Sequence, residues 1–367
     1  MARRQIAGIL FGGATVSAFV GYGGVNGSVV ISRRAVCDYG GLVGSEFVEP
    51  TELQSVVGSV LSEVTGEKQA VGSLVLGVPP QFCKVIVRES VLEFPKPTKV
   101  TVREIAKLFN EVEVDQIEGY SITSKSAVYF KVDDGNAIID AKGRMAVKLS
   151  AQISIMLVSD NFVQIAVGCL DKKWLPVLSF IPTVLAQANY FIDEDARDNT
   201  CVLVSCGMFA TALAVSSGDS LVYLKTLELG LGHFVNDVAS VLGVSFYTAK
   251  LLVDEAVLSV TMGQNDNYQI NIGETTQKFA AAKVNDIIKS RLAFMAQHIK
   301  STLKKALGEG IMQKEFYICG GHLDAIAGAR DLLSKSLKLR IRQAICPFTG
   351  LARAEYTERA IIKQATR

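Results

Sequence analysis

The run Val202-Leu203-Val204-Ser205-Cys206-Gly207-Met208-Phe209-Ala210-Thr211-Ala212-Leu213-Ala214 reads as a buried strand, a glycine turn and a second strand. A strand-glycine-strand hairpin can wrap a phosphate with backbone N–H groups. Hydrolysis needs more, because carboxylates must hold Mg²⁺ and orient the attacking water. The two positions where such a hairpin would carry acids are Ser205 and Ala212. The sequence therefore shows the shape of a nucleotide loop without its chemistry.

Two further strand-glycine turns flank this one at a distance, Gly12-Gly13 and Gly320-Gly321. Taken singly, a glycine pair after a strand is more often a tight turn than a phosphate cradle. Their order along the chain is more informative. Residues 5–11, Gly12-Gly13, residues 16–21, residues 28–32 and an amphipathic helix over 50–64 make an α/β opening. The pattern changes after the strand 73–78 and Pro79-Pro80. An extended stretch at 83–87, a helix over 102–109 begun by Thr101, and paired strands at 127–132 and 146–158 predict a small α+β unit inserted over 79–158.

The chain then returns to α/β patterning, with helices over 161–170 and 182–190 and a strand near 175–180. The second lobe begins with the hairpin quoted above. It continues with a strand over 220–227, the turn Gly230-Leu231-Gly232, and helices over 233–242 and 245–258. A long helical pattern over 275–307 is stopped by Gly308 and Gly310. A strand over 316–319 and a helix over 323–333 precede the closing segment. The boundaries expected are a first lobe of 1–78 and 159–198 with 341–367, the insertion 79–158, a second lobe of 199–240 and 313–340, and a further unit 241–312.

With 367 residues and 49% hydrophobic content, the chain can bury more than one core. Its 38 basic and 36 acidic residues give a net charge of +2, so no nucleic-acid footprint appears in the bulk charge. The seven cysteines include no C-x-x-C pair, which points to buried small hydrophobes in a reducing compartment. Histidines at 233, 298 and 322 are too dispersed for a metal cluster. Residues 5–11 resemble a short signal segment, but the Gly12-Gly13 turn that follows favours a first strand. No apolar stretch approaches the roughly 20 residues of a membrane-spanning helix.

Taken together, these elements resemble the actin, heat-shock-seventy and sugar-kinase superfamily, and within it the bacterial cell-division FtsA family. The likeness runs from Gln5 to about Tyr356 and rests on Leu76-Gly77-Val78-Pro79, on Gly143-Arg144-Met145-Ala146-Val147-Lys148-Leu149, and on Gly230-Leu231-Gly232-His233-Phe234-Val235-Asn236-Asp237-Val238. It implies an actin-like, two-lobed fold of duplicated ribonuclease H-like architecture, with a small inserted α+β subdomain of the SHS2 type, called 1C. It also implies ATP with Mg²⁺ in the cleft, held by Gly12, Gly13, Gly207, Thr211, Gly320 and Gly321.

Departures from the family pattern cluster in that cleft. The metal-side acid of the first loop is replaced by Leu10, and two loop glycines of the second by Met208 and Phe209. Ile181 stands where a polar residue would position water, and Lys250 and Val253 replace the acid and lysine of the adenosine side. The expectation is a pseudo-ATPase with a vestigial nucleotide site and no catalytic residue. An active ATPase of the same fold, of FtsA or pilus-assembly type, is the alternative, with Asp237 as a substitute carboxylate.

The resemblance further implies a cytoplasmic scaffold at the inner face of the membrane. Its partners would be the C-terminal tail of FtsZ, further copies of itself through actin-like contacts, and other division proteins through 1C. A basic face of the long helix, with Lys289, Arg291, Lys300 and Lys304, suits an acidic tail. The segment 353–367 has an apolar face too narrow for secure membrane binding, so attachment is expected to be weak or through a partner.

Overall fold

The computed structural model describes residues 5–66, 71–263, 265–319, 323–344 and 355–366. In chain order the first body contains β1 (Ile6–Phe11), β2 (Thr15–Gly23), β3 (Val29–Asp38), a short hairpin of β4 (Leu42–Val43) and β5 (Glu46–Phe47), α1 (Pro50–Thr65) and β6 (Ser73–Val78). The insertion follows as β7 (Cys83–Lys99), α2 (Val102–Asn110), β8 (Tyr120–Val132) and β9 (Met145–Ser159). The chain re-enters the first body with α3 (Asp160–Gly168), β10 (Leu178–Pro182), α4 (Thr183–Phe191) and α5 (Glu194–Asp198).

The second body contains β11 (Cys201–Cys206), β12 (Thr211–Ser217), β13 (Ser220–Leu227), α6 (Leu231–Leu242), α7 (Phe246–Glu255), β14 (Asn267–Ile272), β15 (Thr275–Ala280), α8 (Ala281–Leu307), β16 (Glu315–Cys319), α9 (Ala329–Leu337) and β17 (Ile341–Gln343). The closing helix α10 (Tyr356–Ala365) returns to the first body.

The two large sheets share one topology. Their orders are β10-β6-β1-β2-β3 and β13-β12-β11-β16-β17. In each, the first three strands of the lobe are antiparallel neighbours, and two later strands add in parallel beside the first. Each carries a bulge between its second and third strands, at Val20/Gly21 and at Val215/Ser216. This is the duplicated architecture that the resemblance implies, and it places the β1–β2 and β11–β12 turns at equivalent ends of their sheets.

Residues 6–11 form the central strand of the first sheet, with Ile6, Ala7 and Ile9 buried. Under that sheet, Phe11, Phe47, Phe82 and Phe162 pack as one aromatic cluster, the Phe82 and Phe162 ring centroids being 4.8 Å apart and Phe11 and Phe162 5.4 Å. Each fully buried phenylalanine contributes about 1.5–3 kcal/mol, and favourable edge-to-face pairs add to this. Helices α4 and α10 lie between the lobes. Ala360, Ile361 and Ile362 of α10 are fully buried, in one core with Leu203, Ala212 and Ala214 from the inner face of the second sheet. The final helix is thus a core element, and the reading of this segment as a weak membrane anchor gives way to that packing.

In the insertion, α2 covers one face of a β7-β9-β8 antiparallel sheet, whose separate core includes Leu92, Leu108, Leu149 and Ile153. Thr101 caps α2 through a reciprocal capping box with Glu104. Strand β7 extends to Lys99, far past the expected 83–87, with its pairing interrupted between Glu93 and Thr98. Pro95 and Pro97, which lack the N–H a ladder needs, lie in that gap.

Two other expectations shift. Residues 275–280 form β15 rather than the start of the long helix, because β-branched Thr275 and Thr276 pair with β14 around Gly273 at φ +61°. The helix expected from 323 begins at Ala329, after Gly328 at φ +86°. Among the described residues, no helix is long and apolar enough to cross a membrane.

Candidate functional site

The duplicated sheets bring the β1–β2 and β11–β12 turns face to face across a cavity of about 1120 Å³. The first lobe contributes Leu10 to Gly13 and the tip of the β4–β5 hairpin, the insertion contributes Lys84 and Tyr120, and the second lobe contributes Ser205 to Ala210 and the end of β13. Of the residues expected to hold nucleotide, Gly12, Gly13 and Gly207 therefore do meet in one place. Thr211 does not share it, being fully buried with its hydroxyl donating to Leu229 O at 2.5 Å. Gly320 and Gly321 lie outside the described residues.

A phosphate between these turns would need free N–H groups, and the first glycine of each turn uses its own inside the turn. Gly12 N–H donates to Thr15 O and Gly207 N–H to Ala210 O, each at 2.8 Å. The start of α6 is capped from the same hairpin, Leu231 N–H donating to Gly207 O at 3.0 Å and Gly232 N–H to Met208 O at 2.6 Å. Gly230 N–H donates to His233 Nδ1 at 3.1 Å. A helix N-terminus is an anion site when its first donors point outward. Here they are turned onto the neighbouring loop.

One side chain crowds the cavity edge beside the turns. A Cβ at Gly13 would fall 2.9 Å from the Phe209 ring, and one at Gly232 would fall 2.7 Å from the same ring. Phe209 therefore sits between the first-lobe turn and the N-terminus of α6, with 38% of its surface still exposed. Met208 borders the same cavity and is half-buried against the second-lobe core. Phe11, which borders the cavity, packs its ring into the aromatic cluster beneath it. Both turns need glycine at these contacts because two chain segments and a ring meet there.

The donor set does not fit Mg²⁺. Leu10 is half-buried against the first-lobe core, and Ser205 donates to Gln187 Oε1 at 2.9 Å. Gln187 is itself a buried junction, donating through Nε2 to Thr357 at 3.0 Å. Ala212 is fully buried, and Ile181 packs half-buried on the first-lobe core. Glu358 borders the cavity but is 2% exposed and accepts from Arg34 Nε at 3.0 Å and from Ser17 at 3.3 Å. Burial raises its carboxyl above the ordinary value, an effect that Arg34 and Ser17 oppose. Glu228 stands at the rim. Among the described residues, no three acidic, histidine or cysteine side chains gather as metal ligands.

The proposed substitute carboxylate is elsewhere. Asp237 of α6 holds Arg291 of α8 through two bonds of 2.5 and 2.6 Å, joining the helices of the second lobe outside the cavity. That bidentate pair raises the guanidinium pKa further. On the adenosine side, Lys250 pairs with Asp254 on the surface of α7, while Val253 is fully buried. Neither borders the cavity.

The basic helix face divides. Lys304 pairs with Glu309, and Arg291 is held by Asp237 with Phe294 5.3 Å from its guanidinium. Lys289 and Lys300, eleven residues apart, fall about 20° apart around α8 at 100° per residue and share one half-exposed side. Arg291 lies on another side of the helix. Sequence spacing alone missed Gln187, Arg34 and Glu358, whose partners come from up to 341 residues away.

No protein-family model matches the chain, and no curated protein matches it. Solved structures do. One is described as a "PilM-PilN type IV pilus biogenesis complex", with 14% identity, 96% of this chain and 89% of that one covered, and a TM-score of 0.60. MreB5 of Spiroplasma citri bound to ADP is 13% identical, with 99% and 98% covered and a TM-score of 0.56. The ethanolamine utilization protein EutJ from Carboxydothermus hydrogenoformans is 12% identical, with 99% and 90% covered and a TM-score of 0.52. At these identities the likeness shows the fold, which is that of the actin-like ATPases.

Proposed function

We propose that this chain is a divergent FtsA-like scaffold of cell division with a cleft that does not turn over ATP. One observation carries the reading: the Phe209 ring packs between the first-lobe turn at Gly13 and the N-terminus of α6 at Gly232, while the N–H groups of Gly12, Gly207, Leu231 and Gly232 are bonded within the protein. With Leu10 and Ser205 in place of metal-binding acids, the cleft lacks both Lewis-acid placement and water activation, each worth several kcal/mol at a transition state. A fold of this size kept without its chemistry is best understood through its surfaces.

In this reading the partner is the acidic C-terminal tail of FtsZ, received on the side of α8 that carries Lys289 and Lys300 with Lys304 near it. The insertion faces other division proteins, and further copies assemble through actin-like contacts at the cytoplasmic side of the membrane. The test is equilibrium binding of a synthetic FtsZ tail peptide. Charge reversal of Lys289 and Lys300 together is expected to weaken it at least tenfold with thermal stability unchanged. Equal binding by wild type and variant would remove α8 from the account, and no binding by either would remove FtsZ.

A pilus-assembly role is the second reading, favoured by the likeness to the PilM component of the complex above. It predicts capture of a pilus-assembly partner in place of FtsZ. Slow ATP hydrolysis belongs to a third, which the turn geometry disfavours.

A further inference from the structure

The turn between β12 and β13, at the end of the second sheet away from the cleft, is held from both the first lobe and the insertion. From the first lobe, Arg197 of α5 donates through Nε to Gly218 O at 3.2 Å and through Nη2 to Asp219 Oδ1 at 2.7 Å. Its Nη1 donates to Asn189 O at 3.3 Å and to Ile192 O, both at the end of α4. Gly218 N–H returns a bond to Arg197 O at 3.0 Å, and Asn189 Nδ2 donates to Asp219 O at 3.3 Å. Only 4% of the Arg197 side chain is exposed.

From the insertion, Ser154 of β9 donates to Leu221 O at 2.5 Å. Ser220 donates to Ala127 O at 3.0 Å, and the Ser126 hydroxyl lies 2.7 Å from that of Ser220. Ser154 and Ser220 are fully buried. A buried hydroxyl or guanidinium leaves water only where its partners are fixed, since a lost partner costs the full desolvation penalty of the group. Sliding the lobes or the insertion past this turn would break several such bonds together.

We infer that the Gly218–Leu221 segment is a polar keystone that joins both lobes and the insertion into one rigid body and holds the interlobe cleft at a single width. Lobe rotation about a hinge needs a junction with two arrangements of similar energy. At this junction Arg197, Ser154 and Ser220 are each bonded across the boundary at once, so a second arrangement would have to replace all of these bonds together. The chain crosses between lobes beside it at Thr200, a β-branched residue held at φ +62°. Such a backbone persists only where its surroundings fix it. The keystone goes beyond the scaffold reading and does not depend on it, because a rigid cleft is compatible with any ligand or none.

The experiment is a double electron–electron resonance distance between bioorthogonal spin labels at Glu63 on α1 and Glu274 in the β14–β15 turn, both exposed. The wild-type chain is expected to give one narrow distribution, unchanged by millimolar Mg²⁺-ATP. Ser154→Ala with Ser220→Ala is expected to at least double its width and to speed amide exchange over residues 211–227 about tenfold. The milder Ser126→Ala should give a smaller broadening in the same direction. Two distance populations in the wild type would overturn the inference, as would variants as narrow as the parent.

Discussion

At the centre of the cleft, Leu10, Ser205 and Phe209 stand where an actin-like enzyme needs two acids and an open loop. At the base of the lobes, Arg197, Ser154 and Ser220 are buried and bonded to three different segments. The first region carries few charged side chains, and Gly12 and Gly207 N–H bond within their own turns. The second is dense with polar groups bonded across the boundaries between lobes and insertion. The contrast teaches that the two ends of the interlobe boundary differ in kind, one lined by apolar side chains and glycine turns and the other bonded through buried polar groups.

Breaking the base should cost most. Arg197→Ala leaves several buried carbonyls without a donor and is expected to lower unfolding free energy by about 3 kcal/mol, read from urea titration. A loss under about 1 kcal/mol would show that water replaces the guanidinium. In the cleft, Gly13→Ala should cost about 1–2 kcal/mol, since its new methyl meets the Phe209 ring at 2.9 Å and Met208 Cβ at 3.2 Å. Much of that cost should vanish in a Phe209→Ala background. An additive double-mutant cycle would mean that the ring does not lie over Gly13.

Phe209→Ala alone should cost less, about 1 kcal/mol, because the ring is partly exposed. It should enlarge the cavity without conferring ATP turnover, as the acids remain absent. Last, Glu358→Gln should act on pH dependence. Burial raises the Glu358 carboxyl pKa, so folding favours its protonated form. Wild-type stability should then fall as pH rises from the unfolded carboxyl value, about 4.3, through the folded one. The variant should lose that slope, and an unchanged slope would place its origin elsewhere.

The strand-glycine-strand units were legible from local pattern, and their assembly into two duplicated sheets came through the family resemblance that their order suggested. The empty acid positions were legible for the same reason, since Leu10 and Ser205 sit at fixed offsets from the turns. The role of Phe209 was only half legible. Its bulk is written in the sequence, but its seat against Gly13 and Gly232 depends on two turns meeting across the cleft. Asp237 misled because its neighbours in sequence say nothing of Arg291 on another helix. The polar junctions at Gln187 and Arg197 were silent, as serines, glutamine and arginine in those segments look like ordinary surface residues until tertiary packing buries them. The segment 275–280 went wrong because its six residues also fit the period of the helix they precede.

Phosphate release from Mg²⁺-ATP by the purified chain tests the central claim most directly. The account predicts release indistinguishable from buffer at millimolar ATP, for wild type and Phe209→Ala alike. Saturable, Mg²⁺-dependent release that scales with protein concentration and is lost in Gly207→Val would contradict it.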